Sequence, residues 1–152
     1  MVWSHFPYDS KPNLPGPIRH AAVIVGAFEA REGAERLDVR VPSYGMVVGV
    51  YTSSQIGKFE GANPVGVIQV PLERARQNKN NSAFFIDTRI RAFLPFHKTF
   101  FPDIESEGHG LIASLDRGLW KRIQDEYMRV NERYREQVVE VGPLRPGGPG
   151  FP

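Results

Sequence analysis

The chain contains no cysteine. That excludes disulfide frameworks, thiolate catalysis and Cys-based zinc sites together. Histidine is scarce as well: the four residues at 5, 20, 97 and 109 lack the spacing of a metal-ligating set, so no metal site and no cofactor are expected. No apolar run approaches the roughly twenty residues needed to span a bilayer. No charged-then-apolar leader opens the sequence, and a cytoplasmic protein is expected. Neither sign of charge dominates, since 19 Lys and Arg face 17 Asp and Glu for a net charge of +2. That near-balance argues against a nonspecific basic RNA-binding protein, whose affinity rests on many phosphate contacts. Internal repeats at solenoid or propeller period are absent too.

What is present suits one compact domain. At 152 residues the chain can bury most of its apolar surface. Its 41% hydrophobic and 24% charged content is that of an ordinary globular protein. Short apolar runs alternate with Gly, Pro, Asn and Ser. "MVWSHFPY" reads as a first strand closed by Pro7, followed by a Pro- and Asn-rich loop from Asp9 to Pro17. "HAAVIVGAF" is apolar at consecutive positions, the pattern of a strand buried on both faces. "ERLDVRVPS" alternates, with Leu37, Val39 and Val41 facing one way and Asp38 and Arg40 the other. "GMVVGVYT", whose glycines favour bending, is followed by "NPVGVIQVPL" and "SAFFIDTRIRAFL". Five or six closely spaced strands with curvature signals predict a mainly β, α+β fold: a small SH3-like barrel.

One amphipathic helix is expected near the C-terminus, over about 114–138. Ser114 is placed to cap it and Asp116 lies in its first turn. Leu119, Ile123, Tyr127, Val130 and Tyr134 recur every three or four residues and form one apolar stripe for packing on the barrel. Lys121, Arg122, Arg129, Arg133 and Arg135 interleave with Asp125, Glu126, Glu132 and Glu136, which makes a solvated mixed-charge face. The barrel domain is expected to occupy 1–140, leaving a Gly- and Pro-rich tail over 141–152 that cannot build a core.

Two features carry chemistry. Arg19 sits between the rigid "PGP" turn and a buried strand, and a cation fixed in this way binds phosphate with planar geometry at little ordering cost. Thr52, Ser53 and Ser54 end another strand and offer hydroxyl donors to a phosphoryl oxygen. Each feature alone also reads blandly, as a surface charge and a loop start. Their combination in this order is the informative signal.

These residues resemble the MazF/PemK-like toxins of type II toxin–antitoxin systems. "VWSHFPY" looks like that family's opening strand, and "LPGPIRHAAVIV" is similar to its Pro/Gly loop followed by Arg-Pro-Ala-Leu-Val-Leu. "VYTSSQ" resembles Tyr-Gly-Thr-Ser-Gln at a strand end. "FFIDTRIRAFLPFHKTFF" resembles a segment in which Thr-Lys/Arg precedes Leu-Pro-Tyr and paired aromatics. The likeness covers about residues 2 to 102, and the helix matches in kind only.

The resemblance implies an SH3-like barrel of the MazF/CcdB kind, a homodimer, and a growth-inhibiting endoribonuclease. Such an enzyme cuts single-stranded RNA without a metal, by attack of a ribose 2′-hydroxyl on the adjacent phosphate. The nucleophile belongs to the substrate, so the protein supplies positioning, proton transfer and electrostatic stabilisation. Arg19 matches the motif arginine. Anchoring on Tyr51 and Gln55 puts Ser53 at the family's threonine, whereas residue identity favours Thr52. Both stay candidates for the catalytic hydroxyl. The implied RNA-binding set is His20, Ser54, Gln55, Lys58, Arg89 and Arg91, and an acidic antitoxin is the implied protein partner. His20 stands where the family has proline. It is either a proton-transfer group or an ordinary satisfied histidine. The rival function is a non-catalytic SH3-like module that binds protein or nucleic acid. Trp3, Phe6, Tyr8 and Phe28 do not discriminate, since aromatics serve core and base-stacking roles alike.

Overall fold

The computed structural model describes residues 1–28, 45–108 and 110–142. Six strands form one mainly antiparallel sheet: β1 (Val2–Ser4), β2 (His20–Phe28), β3 (Met46–Ser53), β4 (Val67–Val70), β5 (Phe84–Pro95) and β6 (Val139–Val141). They lie in the order β1-β2-β3-β5-β4, and β6 joins β5 in parallel, making the sheet mixed. Among the described residues the sheet does not close on itself. Two helices accompany it, α1 (Leu72–Gln77) and α2 (Arg117–Arg133). No described helix is long and apolar enough to cross a membrane.

The strand at "HAAVIVGAF" has the bounds its apolar run predicts. Ala22 enters one core cluster and Val23 the other, so both faces of β2 are covered. The expected strand at "ERLDVRVPS" and the tail from 143 onward lie outside the described residues. The sheet's final strand went unpredicted: β6 runs through Val141, which pairs with Ala92, so the folded unit extends past 140. Its three residues carry no periodic signal of their own.

Curvature concentrates in β5. Tyr51 of β3 pairs with Asp87 and the preceding Val50 with Arg91, so Thr88, Arg89 and Ile90 are left over and the strand bends there. Before the bend β5 pairs with β4, and after it with β6. The corner is fixed by polar contacts. The Thr88 amide and hydroxyl both donate to Gly66 O, at 2.8 and 2.9 Å. Gly66 has a φ of +80°, and a Cβ there would lie 2.8 Å from Arg89 Cγ and from Val130 Cγ2. Glycine is required on both counts. Arg91, 2% exposed, donates through Nε to Thr88 O at 2.7 Å and reaches across to Asn131 Oδ1 and Tyr127 O on α2. Its guanidinium carbon stands 3.7 Å from the centroid of the Tyr127 ring. Burial pushes its pKa down, and the carbonyls and the ring face are what keep the cation tolerable there.

Helix α2 packs its stripe as its periodicity predicts. Leu119, Ile123 and Val130 are buried, and Trp120 and Tyr127 lie partly covered against the core. Burying each aliphatic side chain stabilises the fold by about 1.5–3 kcal/mol. The helix start differs from expectation. Asp116, not Ser114, is the N-cap, and its carboxylate accepts from Leu119 N at 2.9 Å. Two further donors hold it, Asn78 Nδ2 at 2.9 Å and Arg74 at 3.1 Å, while Asn78 Oδ1 accepts from Asp116 N. Asn78 ends α1, a helix too short to show in the sequence pattern, and this contact ties the two helices together.

Two outcomes follow. Gly66→Ala should destabilise the protein by about 1–3 kcal/mol, read as a shift in denaturation midpoint, because it forces a side chain into a left-handed, filled position. The Asp116 carboxyl is held at about 2, below its ordinary 3.8, first by Asn78 and then by the Leu119 amide. Its contribution is therefore full above 3.8 and disappears as the pH falls through about 2. Melting temperatures of the native protein and Asp116→Ala should differ at neutral pH and converge across that window.

Candidate functional site

The N-terminal end of β2 and the C-terminal end of β3 open on a shared cleft of about 400 Å³. Antiparallel pairing brings these strand ends together, since Ala22 pairs with Tyr51. Arg19, His20, Thr52, Ser53, Ser54 and Gln55 all line the cleft, alongside Met1, Trp3, Ala21, Asn80, Ser82 and Phe84. Residues more than thirty positions apart in sequence thus converge where the apolar pattern alone placed two strand mouths.

The turn before Arg19 is held from behind. Gly16 N donates to His5 O at 3.1 Å, and His5 Nδ1 stands 2.8 Å from Gly16 O. A Cβ on Gly16 would lie 2.2 Å from Phe6 O, so only glycine admits this approach. Pro15 and Pro17 restrict the flanking backbone. The guanidinium of Arg19 remains half exposed and donates to Asp103 Oδ1 at 2.7 Å. An exposed pair of this kind contributes little to stability, about 0–1 kcal/mol. The arginine is positioned without being locked.

The two hydroxyl candidates separate clearly. Thr52 is 3% exposed, and its Oγ1 donates to Ala21 O at 2.6 Å. Its proton is committed to the neighbouring strand. Ser53 Oγ instead accepts from Gln55 N at 3.2 Å in an exposed setting, which leaves its O–H available to a ligand. His20 lies against the Tyr51 ring, with centroids 5.1 Å apart, and burial lowers its pKa. It is therefore neutral at pH 7 and able to accept a proton.

The other candidate contacts lie away from the cleft. Lys58 is exposed on a 3₁₀ turn (Ile56–Phe59), with Nζ 5.5 Å from the Phe59 ring centroid. Arg89 is engaged with Asp87 through two hydrogen bonds, at 2.9 and 2.8 Å, which together with direct charge attraction raise its pKa. Arg91 must be withdrawn from the RNA-binding set. It is buried at the β5 corner with its donors spent on Thr88 O and on α2, and no strand-end position in the sequence betrays that. Conversely, Asn80, Ser82 and Asp103 escaped the sequence reading. Asn80 and Ser82 sit in an Asn-rich stretch that reads as ordinary turn chemistry, and Asp103 is brought in by a contact spanning 84 positions.

Among the described residues no group of three or more His, Asp and Glu residues is placed to hold a metal ion. Comparison of the chain with known protein families, curated proteins and solved structures found no match. Function therefore rests on the cleft itself.

The hydroxyl assignment is directly testable. Thr52→Val should cost about 1–3 kcal/mol in chemical denaturation, because Ala21 O loses its buried donor. Ser53→Ala should stay within about 0.5 kcal/mol of the native protein, as a half-buried serine outside the core whose hydroxyl proton has no protein acceptor among the described residues.

Proposed function

We propose that the protein is the toxin of a type II toxin–antitoxin pair, a metal-independent endoribonuclease acting on single-stranded RNA. The observation that carries this reading is the convergence of Arg19, His20 and Ser53 in one cleft. A phosphate there meets a planar cation, a free hydroxyl donor and a neutral imidazole. The ribose 2′-oxygen attacks phosphorus while its proton passes to His20. The bond from phosphorus to the 5′-oxygen breaks, and that oxygen takes a proton from water as it leaves, the hydroxide so formed recovering the proton from His20. The products are a 2′,3′-cyclic phosphate and a 5′-hydroxyl. Arg19 and Ser53 bear the charge that grows on the non-bridging oxygens, where donors fixed beforehand act most strongly. Thr52 on this reading is a positioning residue, holding β3 against β2.

The bulged β2–β3 and β3–β5 pairings and the bent β5 support a sheet curled in the SH3-like manner. A homodimer in the cytoplasm, restrained by an acidic antitoxin laid over the cleft, completes the proposal. Arg19 and Lys58 are the exposed cations such a partner would meet. The rival is a binding module that keeps the curled sheet without catalysis.

Purified protein should cut long single-stranded RNA in the presence of chelator, and Arg19→Ala should abolish cleavage while its melting curve stays unchanged. Loss should appear in the chemical step. The rate should fall on the acid side as His20 takes up a proton, below the ordinary imidazole range because burial lowers its pKa. Intact RNA after incubation with the native protein, or full activity in Arg19→Ala, would hand the cleft to the binding-module reading.

A further inference from the structure

The proposed chemistry uses only part of the cleft's lining. Its lining also includes Trp3, Asn80, Ser82 and Phe84, and these residues have no part in phosphate chemistry. Trp3 lies on β1 at the sheet's edge, opposite Ala21 in the register. It is 40% exposed, and a methyl group is all that its cross-strand neighbour can lay against the indole. A large aromatic left this open beside a cleft offers a ring face to a ligand.

A polar group of the same cleft is held in place by the backbone around it. Helix α1 ends in a paired cap: Lys79 N donates to Arg76 O at 3.0 Å and Asn80 N to Ala75 O at 2.9 Å. Lys79 takes the left-handed conformation this cap needs, with φ at 58°, although it is not glycine. Asn80 is thereby fixed on a helix end and not on a loose loop. Its Oδ1 accepts from Ser82 N at 3.2 Å. Among the described residues its amide N–H groups meet no acceptor. A half-buried, oriented amide with unused donors in the same cleft as an open indole is a combination that matches a planar heterocycle with acceptors on its rim.

We propose that Trp3 and Asn80 form a nucleobase subsite. The indole stacks on the base of a single-stranded RNA nucleotide and the Asn80 amide donates to an acceptor on its edge, while the adjoining phosphate sits at Arg19 and Ser53. The subsite rests on the phosphate assignment made above for the same cleft. Its volume of about 400 Å³ lies within the usual range for small-ligand sites. The pair gives the site a means to prefer some bases over others, which Arg19 and Ser53 alone cannot supply.

The chain has two tryptophans, so Trp120→Phe leaves Trp3 as the sole indole reporter. That variant should be titrated with a 2′-deoxy oligonucleotide, which lacks the attacking hydroxyl and stays intact, and separately with inorganic phosphate. The oligonucleotide should quench Trp3 fluorescence and phosphate should not. Trp3→Leu, which keeps apolar bulk without a ring, should weaken oligonucleotide binding by about 5- to 100-fold, and Trp3→Phe should restore most of it. Asn80→Ala should keep the quenching but flatten the preference among oligonucleotides differing in one base. If RNA is cleaved yet Trp3 is not quenched and Trp3→Leu binds normally, the subsite is overturned and the ribonuclease reading stands. If quenching and the Trp3→Leu loss hold while RNA stays intact, the subsite stands and the ribonuclease reading falls. Absence of any oligonucleotide binding overturns the subsite, and together with intact RNA it overturns both.

Discussion

The corner of β5 is the constraint on which the rest of the structure depends. A strand of twelve residues serves two different partners along one edge, β4 before the bend and β6 after it. That arrangement needs a fixed break in the pleat. Gly66 O gathers two bonds from Thr88, Arg91 closes on Thr88 O, and the same guanidinium fastens α2 across the corner. A buried cation that meets no carboxylate within hydrogen-bond reach among the described residues is an expensive device in a low dielectric. It persists because one planar group satisfies strand, helix carbonyl, amide and ring together, where a hydrocarbon chain would leave several polar atoms orphaned.

The cleft inherits its shape from this corner. Residues Phe85 to Asp87, before the bend, pair with the end of β3 and carry Tyr51, Thr52 and Ser53 to the sheet's rim. Thr52 then bonds to Ala21 and sets the distance between the two mouths. Consecutive hydroxyls therefore do different work: one points inward and spends its proton on the neighbouring strand, the next points outward and keeps its own. Alternation along a strand imposes that division. It leaves Ser53, and not Thr52, with a hydroxyl proton free for a ligand, a distinction that likeness of motif could not make.

Legibility in the sequence followed the range of the interactions. Strands β2 and β3 and the stripe of α2 were readable, because period and apolar continuity are local properties. Arg19 and the hydroxyl cluster were readable because a Pro-Gly-Pro turn and a strand end announce themselves over a few residues. Arg91 was misread for the complementary reason. Its burial depends on Asn131 and Tyr127, some forty positions away, and nothing near it in sequence differs from an exposed strand-end arginine. The cap of α2 was misplaced by two residues, since the contact that decides it comes from Asn78. Asn80 was invisible as a cleft residue. Asn-Lys-Asn-Asn reads as a turn, which it is, and only the fold shows what the turn faces.

The pairing of Arg19 with Asp103 bears on how such a cleft would handle an anion. At 45% and 31% side-chain exposure the pair is well hydrated, so separating it costs little. A phosphate arriving at the guanidinium offers two oxygens in a planar fork, against the single oxygen of Asp103 in contact now. On the proposed reading the carboxylate would aim the arginine and yield at small cost to a better acceptor. A buried ion pair in the same place would be harder to displace, because each charge would be left without water or partner. The half-exposed setting therefore fits a cation kept ready for a ligand better than one built to hold the fold together. The one fully buried guanidinium among the described residues, Arg91, is not part of the cleft's lining and sits instead at the β5 corner, where rigidity is what the sheet needs.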